Sequence, residues 1–191
     1  MKKISIVASA LLLSATASFA QSTWSVDKAH SRLGYGITHL GISESEGNFK
    51  SYEAKITASK ADFSDAVIEV SADVNSINTD NEMRDKHLKS PDFFDAEKFG
   101  TLTFKSTSIK KASGKTFKVT GNLTLHGVTK PVTLDLTING TTTNPMSKKE
   151  EVGIKVTGTF KRTDFGIGAS MPAAMLSDEV VLKANGEFVK E

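Results

Sequence analysis

Most of the chain alternates apolar and polar residues with a period of two, the pattern of strands buried on one face. Ile68, Val70, Ala72 and Val74 alternate with Glu69, Ser71, Asp73 and Asn75. Trp24 and Val26 open the first row, which continues through Leu33, Tyr35, Ile37 and His39. Gly34 and Gly36 fall on the opposite face, where glycine marks a bend or a close backbone approach. The Ser43-Glu44-Ser45-Glu46 run reads as a turn, and residues 49–58 as a weaker strand pattern beginning at Phe49. Later rows are Leu102 and Phe104, then Phe117, Val119, Leu123 and Leu125 with Gly121 among them. Val132, Leu134, Leu136 and Ile138 follow, then Val152, Ile154, Val156 and Phe160, and finally Val180, Leu182, Ala184 and Phe188. Ala112-Ser113-Gly114-Lys115 predicts a hairpin turn, residues 126–130 a short connection before a strand opened by Pro131, and residues 139–149 a polar loop.

About eight strands joined mainly by short turns make an antiparallel meander, which removes its edges by closing on itself. A barrel of that size has room for one slim ligand. The same strands could also stack as a β-sandwich, and alternation alone does not separate the two.

Two stretches break the alternation. Thr79 and Glu82 have the spacing of a capping box, and Asp80 adds negative charge at the start of the helix that it predicts over residues 80–88. Pro91 stops that helix. It is too short to persist alone and must dock, through Met83, Leu88, Phe93 and Phe94. The second stretch, residues 162–177, is an apolar loop holding Phe165, Ile167, Met171 and Met175 with Gly166 and Gly168. It reads either as a flap touching a ligand at the barrel mouth or as a lid packed over the barrel end.

The run Arg84-Asp-x-His-Leu-Lys-Ser-x-Asp-Phe-Phe-Asp resembles the signature of the YceI-like family of periplasmic polyisoprenoid-binding proteins. The resemblance extends over the mature chain through four further motifs in order. These are Trp24-x-Val-Asp-x-x-His-Ser, His39-Leu-Gly-Ile with Gly47-x-Phe, Thr120-Gly-Asn-Leu-Thr-Leu-x-Gly-Val-Thr-Lys-Pro-Val, and Arg162-x-Asp-Phe-Gly. One departure is Gly100 after Phe99, where the family usually has proline. The resemblance implies a single antiparallel eight-stranded lipocalin-like barrel with a short helical excursion. It also implies an amphiphilic polyisoprenoid as partner, its tail along the barrel axis, with the inward glycines making room. Joined to the inward rows, it makes Tyr35, Ile37, His39, Phe49, Ile68, Val70, Met83, Arg84, His87, Phe104, Val119, Leu123, Leu134, Leu136, Val156, Phe160, Phe165, Met171, Met175 and Leu182 the ligand-binding candidates. Tyr35, His39, Arg84 and His87 are the candidates near the head group. A lipid cargo brings transient membrane contact as an option and leaves chain length, head group and oligomeric state open.

Residues 1–20 read as a cleaved secretory signal: Lys2 and Lys3, an apolar run over 4–13, and small residues at Ser18 and Ala20. A periplasmic location is the expectation, with a retained N-terminal anchor as the alternative. Without Lys2 and Lys3 the 24 basic residues become 22, equal to the 22 acidic ones. Charges of both signs are interspersed, which argues against a nucleic-acid partner. The chain has no cysteine, which removes disulfides and thiolate metal sites. None of His30, His39, His87 and His126 stands four residues from another, so no metal site or cofactor is expected. Asp85-x-His87 invites a proton relay, but a structural role for it is the simpler account. Ser31 lacks the glycines of a nucleophile elbow. A binding protein is therefore expected. An enzyme acting on such lipids and a ligand-free structural stress-response protein are the alternatives.

Overall fold

The computed structural model describes residues 21–191, so the secretory-signal reading lies outside the described residues. The chain order is β1 (Ser22–His39), β2 (Ser43–Phe49), β3 (Tyr52–Ala58), β4 (Val67–Asp73), β5 (Ile77–Asn78), α1 (Glu82–Lys89), β6 (Thr101–Ser113), β7 (Thr116–Leu125), β8 (Val128–Thr143), β9 (Glu150–Lys161) and β10 (Leu176–Lys190). Every ladder is antiparallel, and β10 pairs with β1 along nearly its whole length. Eight strands, β1, β3, β4, β6, β7, β8, β9 and β10, therefore close into a barrel. The sandwich alternative is excluded by that closure.

Strand β1 is the seam. Its first residues pair with β3, Ser22 opposite Ala58, and its second half pairs with β2, Leu33 opposite Phe49. The register with β10 slips between Asp27 and Arg32, where residues 28–31 bulge out. A bulge of this kind bends a strand and raises its twist. Side chains replace the lost ladder: the Ser31 hydroxyl accepts from the Glu187 amide at 3.0 Å, and Asp27 accepts from the Ala29 amide and from His30 Nδ1. The Asp27–His30–Ser31 motif is thus a clasp on the seam. The Asp27 hydrogen bond pushes the pKa of exposed His30 up.

Several sequence expectations are corrected. Ser43 to Glu46 belong to β2 and are not a turn; the turn lies at Leu40 and Gly41, whose φ angles are 53° and 70°. The polar run is strand because its outward Glu44 and Glu46 both meet Lys183 of β10. Of residues 49–58, Phe49 ends β2 and the expected strand begins only at Tyr52, as β3. Pro131 sits inside β8 opposite Asn122, and only the start of the expected polar loop at 139 belongs to strand, β8 running on to Thr143. The helix begins two residues later than the capping-box reading has it, at Glu82. Asp80 turns left-handed at φ 56°, and the Asn81 side chain caps the helix by accepting from the Arg84 amide at 3.0 Å. Thr79 is used differently: its hydroxyl donates to Asp85 at 2.5 Å and accepts from Arg84 Nε at 2.8 Å.

One barrel end, the base, is solid. Trp24 and Phe63 rings lie 5.4 Å apart, and Phe117, Ile138 and Val152 are buried beside them. The other end carries β1's last residue His39, β10's first residue Leu176, the helix and the 162–177 loop.

Candidate functional site

The alternation that closes the barrel also points a row of apolar side chains inward from each strand. These rows do not fill the upper half. They enclose a cavity of about 380 Å³, within the range of about 300–1,000 Å³ typical of ligand sites. Phe104, Leu123, Leu134, Leu136, Val156 and Leu182 stand in its wall, and Ile68, Val70, Val119 and Phe160 join them. The outer face of β7 and β8 confirms the parity: Thr120 meets Thr133 at 3.0 Å and Thr124 meets Thr129 at 2.9 Å, hydroxyl to hydroxyl.

The upper rim is built by three insertions. The second half of β1 and β2 brings Tyr35, Ile37, His39 and Phe49 to the cavity. The helix brings Arg84 and His87, and the stretch after it brings Phe93 and Phe94. Phe94 packs edge-on against Phe49 at 6.2 Å, and His87 against Phe93 at 4.9 Å. The 162–177 loop brings Ile167 and Met171. It is tied by Arg162, which is 2% exposed and donates to the carbonyls of Ser177, Ile167, Gly168, Met171 and Leu176. The loop and the helical excursion meet where the Gly168 amide donates to the Asp92 carbonyl at 3.0 Å. His126 joins the same layer, its Nδ1–H donating to the Phe165 carbonyl while its ring lies edge-on to Phe99.

Polar groups at the cavity are few. Arg84 is anchored to Thr79 through Nε and Nη2. Burial pushes the Tyr35 phenol up to about 12, with Arg84 pulling the other way. The Tyr52 hydroxyl is buried without a hydrogen-bond partner, and burial raises its pKa too. The Asp85–His87 relay does not form. Asp85 bonds Thr79, and the carboxylate nearest His87 is Asp92 at 3.7 Å.

Three of the candidates from sequence lie elsewhere. Met83 is 82% exposed on the outer side of the helix, and Met175 is 45% exposed on the loop. Phe165 is buried, but its ring packs edge-on against Phe160 at 5.6 Å and supports the wall from behind. The other seventeen line the cavity. Sequence reasoning missed Tyr52, Leu33, Phe93 and Ile167. Leu33 shares parity with Tyr35 and could have been found; Ile167 could not, because a loop has no period. The inward glycines are also corrected. A Cβ at Gly121 would lie 2.6 Å from the Lys105 carbonyl and strike the Phe104 ring, and one at Gly158 would lie 2.5 Å from Leu134 Cδ2. Their room is taken by neighbouring side chains that form the wall, not by free cavity.

Known proteins share this architecture. A UPF0312 protein of Staphylococcus aureus strain MSSA476 is 36% identical over 173 residues, covering 87% of this chain and 97% of its own. The YCEI protein of Campylobacter jejuni, a crystal structure, is 33% identical with a TM-score of 0.71, over 81% of this chain and 90% of its own. A polyisoprenoid-binding domain from Saccharophagus degradans, implicated in plant cell wall breakdown, has the same fold at 17% identity, with a TM-score of 0.63 over 88% and 98%. The YceI-like domain model matches residues 24–188, and the chain accordingly belongs to the YceI-like family.

Proposed function

We propose that this protein is a carrier that holds the tail of a polyisoprenoid lipid, a polyprenyl derivative or an isoprenoid quinone, inside its barrel for transport, storage or sequestration. The observation that carries the reading is the cavity: about 380 Å³, walled almost wholly by aliphatic and aromatic side chains, inside a barrel solid at its base. An unbranched polar ligand gains nothing from such a wall, whereas each buried CH₂ of a hydrocarbon gains about 0.8 kcal/mol before the cost of ordering the chain. Arg84, His87, His39 and Tyr35 stand together at one end of the cavity and suit a polar head group. The polyisoprenoid-binding neighbour adds support of the same kind.

The reading is of a binding protein, not an enzyme. Asp85 is spent on Thr79, Ser31 on the β1 bulge and His126 on a carbonyl, so these groups serve the fold. The secretory pattern of residues 1–20 supports a periplasmic place of action. Native mass spectrometry of protein purified from the periplasm, followed by lipid extraction, tests all of this together. The expected result is a chain beginning at Gln21 with one polyisoprenoid bound. A full-length cytoplasmic chain would overturn the location, and a barrel free of lipid after gentle purification would overturn the cargo.

A further inference from the structure

We propose that the exposed apolar rim formed by Leu40, Ile42 and residues 172–175 is the surface on which this protein docks to a lipid bilayer to load and release its cargo. The inference rests on the carrier reading above and adds to it the place of exchange.

Six large hydrophobic side chains are exposed among the described residues, and four of them, Leu40, Ile42, Met83 and Met175, lie at the mouth end. Single exposed apolar groups need no explanation, and Met83 on the helix is one such group, but Leu40, Ile42 and Met175 adjoin one another. Leu40 and Gly41 adopt left-handed backbone at the tip of the β1–β2 turn, which leaves Leu40 50% and Ile42 85% exposed. The Leu40 amide donates to the Met175 carbonyl at 2.9 Å and so fixes this tip against the loop. In that loop Pro172, Ala173, Ala174 and Met175 are all exposed. Arg162 holds the carbonyls of Met171 and Leu176 on either side of the stretch and so fixes both its ends.

The rim runs directly into the cavity. His39 and Leu176 are cross-strand partners, both line the cavity, and each adjoins a residue of the rim in the chain. A lipid leaving the cavity at this edge passes onto apolar side chains without crossing water. The occupant follows from shape and cargo. A stable protein interface takes about 20–30 residues a side, whereas the rim is two loop tips of six residues. Such tips insert between lipid head groups, and a polyisoprenoid has its reservoir in a bilayer.

The test uses Ile42→Glu with Met175→Glu as a double variant, and Met146→Glu as control. Met146 is 92% exposed but belongs to the β8–β9 connection at the base. Delipidated protein is floated with phosphatidylcholine vesicles, and uptake of solanesol is followed from such vesicles and, separately, from detergent. Two apolar-to-charged changes should lower vesicle partition and slow uptake from vesicles by about tenfold or more. Uptake from detergent should be unchanged, and Met146→Glu should match the wild type. Equal flotation and equal uptake from vesicles by the double variant would overturn the proposal. So would a dimeric wild type that the double variant turns monomeric, since the rim would then be an interface between copies. Failure of the wild type to take either solanesol or the shorter prenol farnesol even from detergent would refute the carrier reading instead, while flotation on plain vesicles, which needs no cargo, still decides the rim.

Discussion

Arg162 offers the most demanding test of how the upper rim is held. Its guanidinium has five N–H donors, and five backbone carbonyls receive them: Ser177 at 3.0 Å, Ile167 at 3.0 Å, Met171 at 2.8 Å, Leu176 at 3.1 Å, and Gly168. The substitution Arg162→Met keeps the stem and removes every donor. Hydrogen bonds from a charged donor contribute about 1.5–3 kcal/mol each. Against the summed loss stands the recovered cost of burying a cation, several kcal/mol, and water will reach some of the freed carbonyls. The net loss should be about 3–5 kcal/mol, in line with breaking other buried charged contacts. At about 2–4 °C per kcal/mol for a domain of this size, melting should fall by about 6–20 °C. Arg162→Lys should recover only part, because three donors on one nitrogen cannot span carbonyls from residue 167 to residue 177. Thermal and urea unfolding of delipidated protein measures both variants. A loss below about 1 kcal/mol for Arg162→Met would mean that packing, not the guanidinium, holds the loop.

Other expectations follow from single contacts. Tyr52→Phe removes a buried hydroxyl that has no partner, so delipidated protein should gain about 1–2 kcal/mol in urea unfolding; a loss would show that the hydroxyl is bonded after all. Gly121→Ala drives a Cβ against the Lys105 carbonyl and the Phe104 ring, and should cost about 1–3 kcal/mol, whereas no cost would mean that the wall there is loose. His30 should titrate above 6.5 in a proton NMR titration because its partner Asp27 favours the charged ring. The folded-state pKa being raised, its contribution to stability is present below pH 6.5 and fades as pH climbs past the raised value. Asp27→Asn should lower it, although Glu187 at 3.8 Å still favours the charged ring, and a wild-type titration at or below 6.5 would contradict the clasp.

The residues made much of this architecture legible because strand parity is local. Once Val119, Leu123 and Leu125 share a face, the side on which a ligand could lie is fixed, and the structure places them on one wall. What was not legible depends on partners far away in the chain. The run from Ser43 to Glu46 looks like a turn until Lys183 supplies the cation that both glutamates meet. Thr79 has the spacing of a cap, yet Asp85 and Arg84 claim it once Asp80 turns left-handed. Glycines on an inward row look like free space, and only the positions of Phe104 and Leu134 show that the space is used. Met83, Met175 and Phe165 are not legible as lining or outer residues, because helices of one turn or two and aperiodic loops give no parity from which to orient a side chain.

The central claim, that the inward face of this barrel is a lipid chamber, is tested most directly by lipid content per protein in two neighbouring variants. Leu123 is 3% exposed and lines the cavity, whereas Thr124 points out and bonds Thr129. Leu123→Trp should occupy volume that the lipid uses, and extracted lipid should fall sharply while the delipidated protein loses less than the about 1–3 kcal/mol that overfilling a packed core costs. Thr124→Trp should keep the wild-type lipid content. Retained lipid in Leu123→Trp, or its loss in Thr124→Trp, would contradict the account.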